Sequence, residues 1–424
     1  MNLYVGIDLG TSGCRAIAID AAGGTHGSAA CPLPAPVRSG GRVEQDPEIW
    51  WEAVVATLRR LSAGIDAGAV RSLAVDGTSS TTLLTDADGH PLAPALMYDD
   101  TRAKEQARRI EALSPSDSAA RGAGSALAKL LWLLDHTTPG KAGFALHQAD
   151  WVTGRLCGRF GFSDSNNALK LGYDPVQRCW PAWLAKLGLP GGLLPEVREP
   201  GTPLGELLPK LARRLGLPAG VRIVAGTTDS TAAAIASGVS RPGDAVTSLG
   251  STMVLKVVSH RPLFSSRYGI YSQPLGDAWL AGGASNSGGA VLRRFFSDEQ
   301  LERISARIDP RRRGCLEYYP LPAPGERFPV ADPGLQPRLT PRPRDDARFL
   351  QGLLEGMARI ERRGYRLLAE LGAPAPVAVR TVGGGARNGV WSEIRSRFLG
   401  VPVCAARHGE AAYGAALLAR RGAA

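Results

Sequence analysis

Cysteine pairing is missing from this chain. Its six cysteines, Cys14, Cys31, Cys157, Cys179, Cys315 and Cys404, lie far apart, with no C-x-x-C pair and no histidine at ligand spacing. Neither a disulfide framework nor a zinc site is expected, and they read as small apolar residues. Long hydrophobic runs are missing too. No uncharged apolar stretch approaches the roughly 18 residues that span a bilayer. The first apolar segment has no basic region before it and is interrupted by Asp8, which argues against a secretory signal. A cytoplasmic protein with no membrane partner is the expectation. Lysine is scarce, confined to Lys104, Lys129, Lys141, Lys170, Lys186, Lys210 and Lys256, so arginine carries the net charge of +11. Apart from small groups at Arg311–Arg313 and Arg362–Arg363, those arginines are scattered. A composition bias therefore explains the balance, and no nucleic-acid partner is expected. A mild positive field still favours an anionic substrate such as a nucleotide.

What is present is an ordinary globular composition: 424 residues, 44% hydrophobic and 21% charged. At about 150 residues per domain this predicts two or three domains and excludes wholesale disorder or a fibrous repeat. Two Pro/Gly-dense stretches, Leu187–Pro209 and Tyr319–Arg344, exclude regular helix and central strand. Elsewhere short apolar strands alternate with helical patterns, the mark of α/β layering. Strands are predicted at Leu3–Asp8, Arg15–Asp20, Ser72–Asp76 and Thr82–Thr85, and helices at Ala126–Asp135 and Arg348–Ala369. One internal echo stands out. Ile7–Asp20 reads IDLGTSGCRAIAID and Val246–Ser259 reads VTSLGSTMVLKVVS. Each is a strand, then Leu-Gly with two hydroxyl residues, then a second strand, which suggests a duplicated domain opening on a hairpin.

The chemistry gathers at these turns. In Asp8–Gly13, glycines let backbone N–H groups approach a polyanion, and the Thr11 and Ser12 hydroxyls add donors. Asp8 would repel phosphate unless a cation intervened, so its natural role is to hold Mg²⁺. The second hairpin offers Gly250, Ser251 and Thr252, with Ser248 in the place of Asp8. Both turns also suit ordinary Gly/Ser hairpins. A third cluster, Gly383-Gly384-Gly385-Ala386-Arg387-Asn388, lies between a predicted strand and a helix at Val390–Leu399, a nucleotide-binding location in α/β folds. It is neither a G-x-G-x-x-G element nor a P-loop. Asn388 suits a base or ribose as well as a helix cap; Trp391 suits a purine face as well as a core position. Asp229, in Gly226-Thr227-Thr228-Asp229-Ser230, opens a small-residue helix as a capping carboxylate or as a base for an attacking hydroxyl. Asp76-Gly77-Thr78-Ser79-Ser80 presents short polar groups suited to a polyol. Tyr98-Asp99-Asp100-Thr101-Arg102 adds carboxylates and a guanidinium.

Taken together, these residues resemble the FGGY carbohydrate kinases of the actin-like ATPase superfamily over essentially the whole chain, in order. Asp8–Arg15 looks like the first phosphate motif, Thr247–Thr252 the second and Gly383–Asn388 the adenosine motif. Gly124 through Lys129 and Trp132 to His136 is similar to one family signature, departing at Ala126. Leu321–Pro329 resembles another, and Glu410–Ala416 the C-terminal helix. The details look most like the short plant and cyanobacterial sugar kinases that phosphorylate D-ribulose, in DGTS at Asp76–Ser79, NALKLGY at Asn167–Tyr173, AGTTDS at Ala225–Ser230 and SLGST at Ser248–Thr252.

The resemblance implies an α/β fold of two actin-like (ribonuclease H-like) domains, each a mixed sheet flanked by helices, with an interdomain cleft. The domains are expected at 1–225 and 226–424, the last helix (about 410–424) packing back on the first. It implies an ATP- and Mg²⁺-dependent phosphotransferase acting on the terminal hydroxyl of a ketopentose, D-ribulose first, with D-xylulose or another ketose or polyol as the alternative. Asp229 becomes the catalytic base. Asp8, Ser12, Gly13 and Ser79 would bind sugar, and Asp8 the metal. Thr11, Ser12, Gly250, Ser251, Thr252, Gly384, Gly385, Asn388 and Trp391 would hold ATP. Partners beyond sugar and nucleotide are not implied, and the protein is expected to be a monomer or homodimer. An actin-like chaperone or filament protein, the reading outside this class, leaves the stretches at Gly124–His136 and Leu321–Pro329 without a purpose. Two departures stand out. Thr78-Ser79-Ser80 stands where many xylulose kinases carry Met-His-Gly, and the stretch after Pro329 lacks the usual Ala-Arg-Gly pattern.

Overall fold

The computed structural model describes residues 1–423 and resolves into two compact units, Met1–Ala236 with Glu410 onward, and Ser237–Gly409. The first unit therefore runs past the expected break at 225, which falls inside the strand Arg222–Thr228. That strand pairs with Val70–Gly77, so cutting there would split a sheet. The chain leaves this unit after the helix Asp229–Ala236.

The main sheet of the first unit has six strands: β1 (Leu3–Leu9), β2 (Gly13–Ile19), β3 (Thr25–Pro32), β4 (Val70–Gly77), β5 (Pro203–Glu206) and β6 (Arg222–Thr228), in spatial order β5-β6-β4-β1-β2-β3. β1, β2 and β3 run antiparallel, while β1, β4 and β6 are parallel. β1 and β4 are buried almost throughout, as continuous apolar runs such as LYVGIDL require when both sheet faces are covered. One face carries the helix Pro47–Ala63, started by Asp46 accepting from Glu48 N–H with Pro at its first turn, an arrangement that supplies orphan donors with a cap. The other face carries the helix Ala411–Ala423 and the Asp229–Ala236 helix. Their alanines and glycines permit a very close approach. A Cβ at Gly6 would lie 1.9 Å from the Ala412 carbonyl oxygen, and one at Gly414 would lie 1.9 Å from that of Ala232. The unit also holds a five-stranded sheet that includes Thr82–Thr85 and Phe144–His147, and a two-stranded parallel sheet of Phe162–Asp164 with Glu196–Arg198.

The second unit repeats the plan. Its strands are β7 (Asp244–Leu249), β8 (Met253–Ser259), β9 (Tyr271–Leu275), β10 (Ala278–Ser285), β11 (Ala378–Val382) and β12 (Val403–Ala405), in order β9-β10-β8-β7-β11-β12. β7 and β8 form the opening hairpin, β10 adds antiparallel to β8, and β7, β11 and β12 are parallel. The β1-β2-β3 set with β4 and β6 thus has its counterpart in β7-β8-β10 with β11 and β12. The echo between Ile7–Asp20 and Val246–Ser259 is this shared hairpin. Behind it, the helices Asp346–Glu370 and Gly389–Leu399 are joined by a buried ion pair. Arg395 donates through Nε and Nη2 to the two oxygens of Glu361, each at 2.7 Å, and through Nη1 to Thr381 Oγ1 at 2.6 Å. Thr247 Oγ1 donates to Glu361 Oε1 at 2.6 Å. Thr247 and Thr381 are paired neighbours on β7 and β11.

The stretch after Pro329 carries no regular element before Asp345. It is tied down by isolated bridges, Tyr319 with Arg338 and Glu326 with Asp332. Glu326, in the Leu321–Pro329 stretch, is buried and accepts from Ser285 Oγ at 2.6 Å and Asn286 N–H at 2.8 Å. No helix among the described residues is long and apolar enough to cross a membrane.

Candidate active site

Three carboxylates come to one edge of the first sheet because three parallel strands end there. Asp8 closes β1, Asp76 closes β4 directly opposite it, and Thr227 on β6 is opposite Asp76 in turn. Asp229 follows as the first residue of the helix Asp229–Ala236, where the positive helix end favours an anion. Ligands of open α/β sheets bind at this carboxyl end. Asp229 is half-buried and accepts from Ser230 N–H at 2.5 Å. Asp8 is buried, and burial pushes its carboxyl above the ordinary range, with the Arg15 guanidinium at 3.3 Å acting against it. Asp76 is wholly buried with Asp8 as its side-chain hydrogen-bond neighbour, and burial first, then the charges of Asp8 and Asp229, push its carboxyl well up. Sequence reasoning placed Asp76 at the end of a predicted strand and in the Asp76–Ser80 stretch suited to a polyol, without a role of its own. Its position as the register partner of Asp8 becomes visible only once β1 and β4 are paired.

A divalent cation fits this set of hard oxygen donors. The three carboxylates do not converge into a cage. Among the described residues, the one group of three or more ligand atoms within 4.8 Å of one another is Asp86, Asp88 and His90, on an exposed turn. Mg²⁺ is suited to one or two carboxylates with water completing its shell, and Asp8 is the carboxylate here that could hold such an ion.

The turn after β1 exposes Ser12 and leaves Thr11 half-buried. Gly10 N–H donates to the Gly13 carbonyl at 3.1 Å. A Cβ at Gly13 would lie 2.9 Å from the Cys31 carbonyl oxygen. The turn after β7 has the same build: Gly250 N–H donates to the Thr252 carbonyl at 3.1 Å, and Gly250 and Ser251 are exposed. Gly289 N–H donates to the Gly250 carbonyl, and Arg293 Nη2 donates to Ser251 Oγ at 3.1 Å. Arg293 was missed; the Ser287-Gly288-Gly289 run before an apolar helix pattern was the signal that could have found it. The third glycine cluster sits beside the second turn because β7 and β11 are neighbours, Ser248 opposite Val382. A Cβ at Gly383 would come within 2.8 Å of the Leu249 carbonyl oxygen, and Gly384 is exposed while Gly385 is half-buried.

Two expected nucleotide residues are otherwise engaged. Asn388 is the N-cap of the helix Gly389–Leu399: its Oδ1 accepts from Trp391 N–H at 3.0 Å and its Nδ2 donates to Ser305 Oγ at 2.9 Å. Trp391 is 2% exposed and packs in the core of the second unit, so it cannot cover a purine without leaving that core. Of the two readings open for each residue, the structure supports cap and core. Ser79 is half-buried on the turn after β4, between buried Thr78 and Ser80.

Glycine-hydroxyl turns thus stand at the same place in the two sheets, with acidic residues at the strand ends of the first. The N-terminal domain model of the FGGY family of carbohydrate kinases matches residues 3–236, and its C-terminal domain model matches residues 245–423. The chain belongs to the FGGY family of carbohydrate kinases. It is 30% identical to the xylulose kinase of Streptomyces coelicolor over 421 residues, covering 95% of this chain and 84% of that protein. It is 28% identical to the xylulose kinase of Escherichia coli over 414 residues, covering 92% and 84%. A crystal structure titled as a xyloylose kinase from Brucella ovis superposes with a TM-score of 0.89 at 26% identity, covering 100% of this chain and 90% of that one.

Proposed function

We propose that this protein is an ATP- and Mg²⁺-dependent kinase of a five-carbon 2-ketose, with D-xylulose as the acceptor. The named activity of its relatives supports that sugar. The observation that carries the catalytic reading is the placing of Asp229 on the sheet edge that also holds Asp8 and Asp76. In this reading Asp229 accepts the proton of the terminal hydroxyl, whose oxygen bonds to the γ-phosphorus as the bond to the β-phosphate oxygen breaks, giving the 5-phosphate and ADP. Ser12, Gly13 and Ser79 hold the sugar. In the first unit Thr11 and Ser12 offer amides and hydroxyls to phosphate; in the second unit Gly250–Thr252 do the same, Arg293 adds a positive charge beside Ser251, and Gly384 leaves open space for the nucleoside. Positioning and charge neutralisation supply most of the acceleration, because phosphoryl transfer asks little covalent chemistry of the protein.

A second reading, D-ribulose as acceptor, is favoured by the Thr78-Ser79-Ser80 turn, whose small hydroxyl side chains stand where Met-His-Gly is usual in xylulose kinases. The test is ADP release with D-xylulose, D-ribulose and a panel of polyols. Higher kcat/KM for D-xylulose supports the first reading and for D-ribulose the second. Sugar-independent turnover would overturn both. Asp229→Asn should lose at least about a hundredfold in kcat, the usual scale for a general base, while still binding ATP; near-normal turnover would remove Asp229 from the mechanism.

A further inference from the structure

One buried cation in the first unit has no part in the chemistry above. Lys129 lies on the helix Ala126–Asp135, which Ser125 caps by accepting from Ala128 N–H, and it is 0% exposed. Its Nζ donates to the main-chain carbonyls of Met97 at 2.7 Å, Ser80 at 3.0 Å and Tyr98 at 3.1 Å. An ammonium has three N–H donors, and these three carbonyls take them all. The nearby carboxylate of Asp100 is already engaged by Arg102 and by Val43 N–H.

The three carbonyls belong to two different loops. Ser80 ends the turn after β4 and has φ 72°, a conformation that a residue other than glycine keeps only when its surroundings hold it there. The other end of that turn is held by Gln148, whose Oε1 accepts from Thr78 N–H at 3.1 Å and from Thr78 Oγ1 at 3.0 Å. Met97 and Tyr98 lead into the Asp99–Arg102 cluster. Without the ammonium, three carbonyl dipoles would point their negative ends at one buried spot.

We propose that Lys129 is the positioning residue for the acceptor sugar: its ammonium draws the Ser80, Met97 and Tyr98 carbonyls together, fixes the Thr78-Ser79-Ser80 turn, and so sets sugar affinity without touching the sugar. The proposal rests on the reading that this turn faces the acceptor. Charge is what the clamp depends on. Burial pushes the ammonium down to about 7; Asp100 and Asp99 act to raise it, and Lys170 and Arg102 to lower it. Once deprotonated, the amine has two N–H donors for three carbonyls, and one carbonyl is orphaned. The clamp therefore loosens as pH rises through and above neutrality.

Two measurements test this. Lys129→Met should raise the KM for the preferred pentulose about tenfold or more, the scale of a lost charge-assisted bond, with kcat and the KM for ATP changing less than about twofold. Equal damage to all three constants would overturn the proposal in favour of a purely structural role. Should Lys129→Met fail to fold, the wild-type protein decides. Its hydrogen exchange at 78–82 and 95–101 is compared at about pH 6 and about pH 9, after correction for intrinsic rates. Protection is expected to fall at least about threefold at the higher pH while the β1–β2 hairpin keeps its own. Unchanged protection in both loops would overturn it. If the wild type phosphorylates neither D-xylulose nor D-ribulose, the functional reading falls, and the exchange result still judges the clamp.

Discussion

Removing Glu361 should be among the most damaging single changes outside the candidate active site. The residue is wholly buried, and so is Arg395, which it holds through two 2.7 Å bonds. Truncation to alanine leaves the guanidinium with Thr381 as its remaining partner and takes an acceptor from Thr247. Breaking a buried pair by deleting one partner costs about 3–5 kcal/mol, because an uncompensated charge stays inside. For a unit the length of Ser237–Gly409, where each kcal/mol moves the midpoint by about 2–4 °C, this is a fall of roughly 6–20 °C in Tm. Calorimetry or chemical denaturation of Glu361→Ala, Arg395→Ala and the double variant would measure it. The double variant should be much less damaged than the sum of the singles, since both charges leave together. Additive losses, with a coupling below about 0.5 kcal/mol, would refute the argument. The pair also ties the helices to Thr247 and Thr381, just ahead of the Gly250–Thr252 and Gly383–Gly385 turns, so under the roles proposed for these turns the variant should weaken ATP binding before it unfolds.

Two further outcomes follow from packing and from thiol chemistry. Gly6→Ala should destabilise the first unit by about 1–3 kcal/mol or more, since its methyl group would overlap the Ala412 carbonyl; denaturant melts would show it, and an unchanged midpoint would mean that the Ala411–Ala423 helix can shift. Native alkylation near pH 8, read by mass spectrometry, should label exposed Cys179, Cys315 and Cys404 and spare Cys14, buried with its thiol pushed up to about 12, since the thiolate is the reacting form. Rapid labelling of Cys14 would contradict its burial.

Much of this fold was legible because glycine-hydroxyl turns between apolar strands have few alternatives. The hairpins at Asp8–Gly13 and Leu249–Thr252, the Ala126–Asp135 helix and the long helix near Arg348–Ala369 stand where the patterns put them, the last as Asp346–Glu370. The Pro/Gly-dense Leu187–Pro209 stretch contributes to the main sheet only at the edge strand Pro203–Glu206, as proline's missing donor requires. Trp391 was ambiguous because spacing places it one turn beyond Asn388 without saying which face of the helix meets the core. The break at 225 was misplaced because composition hardly changes inside β6, and pairing with β4, not composition, decides where the unit ends. Asp76 and Lys129 were seen only as members of motifs, and Arg293 not at all, for a shared reason. Each acquires its meaning from a partner distant in sequence: Asp8 across a strand pair, three carbonyls in two loops, and a hydroxyl on a phosphate turn.

The return of the Ala411–Ala423 helix to the sheet built around β1 makes the second unit an insertion within the first. Ser237–Gly409 is one uninterrupted segment, so all of its residues have been made before those of the Ala411–Ala423 helix. The earlier-made segment must wait, with the face of β1 around Gly6 uncovered, until residues beyond 410 arrive. The usual order, in which the leading part of a chain closes first, is therefore not available to the first unit, whose covering helix is made last.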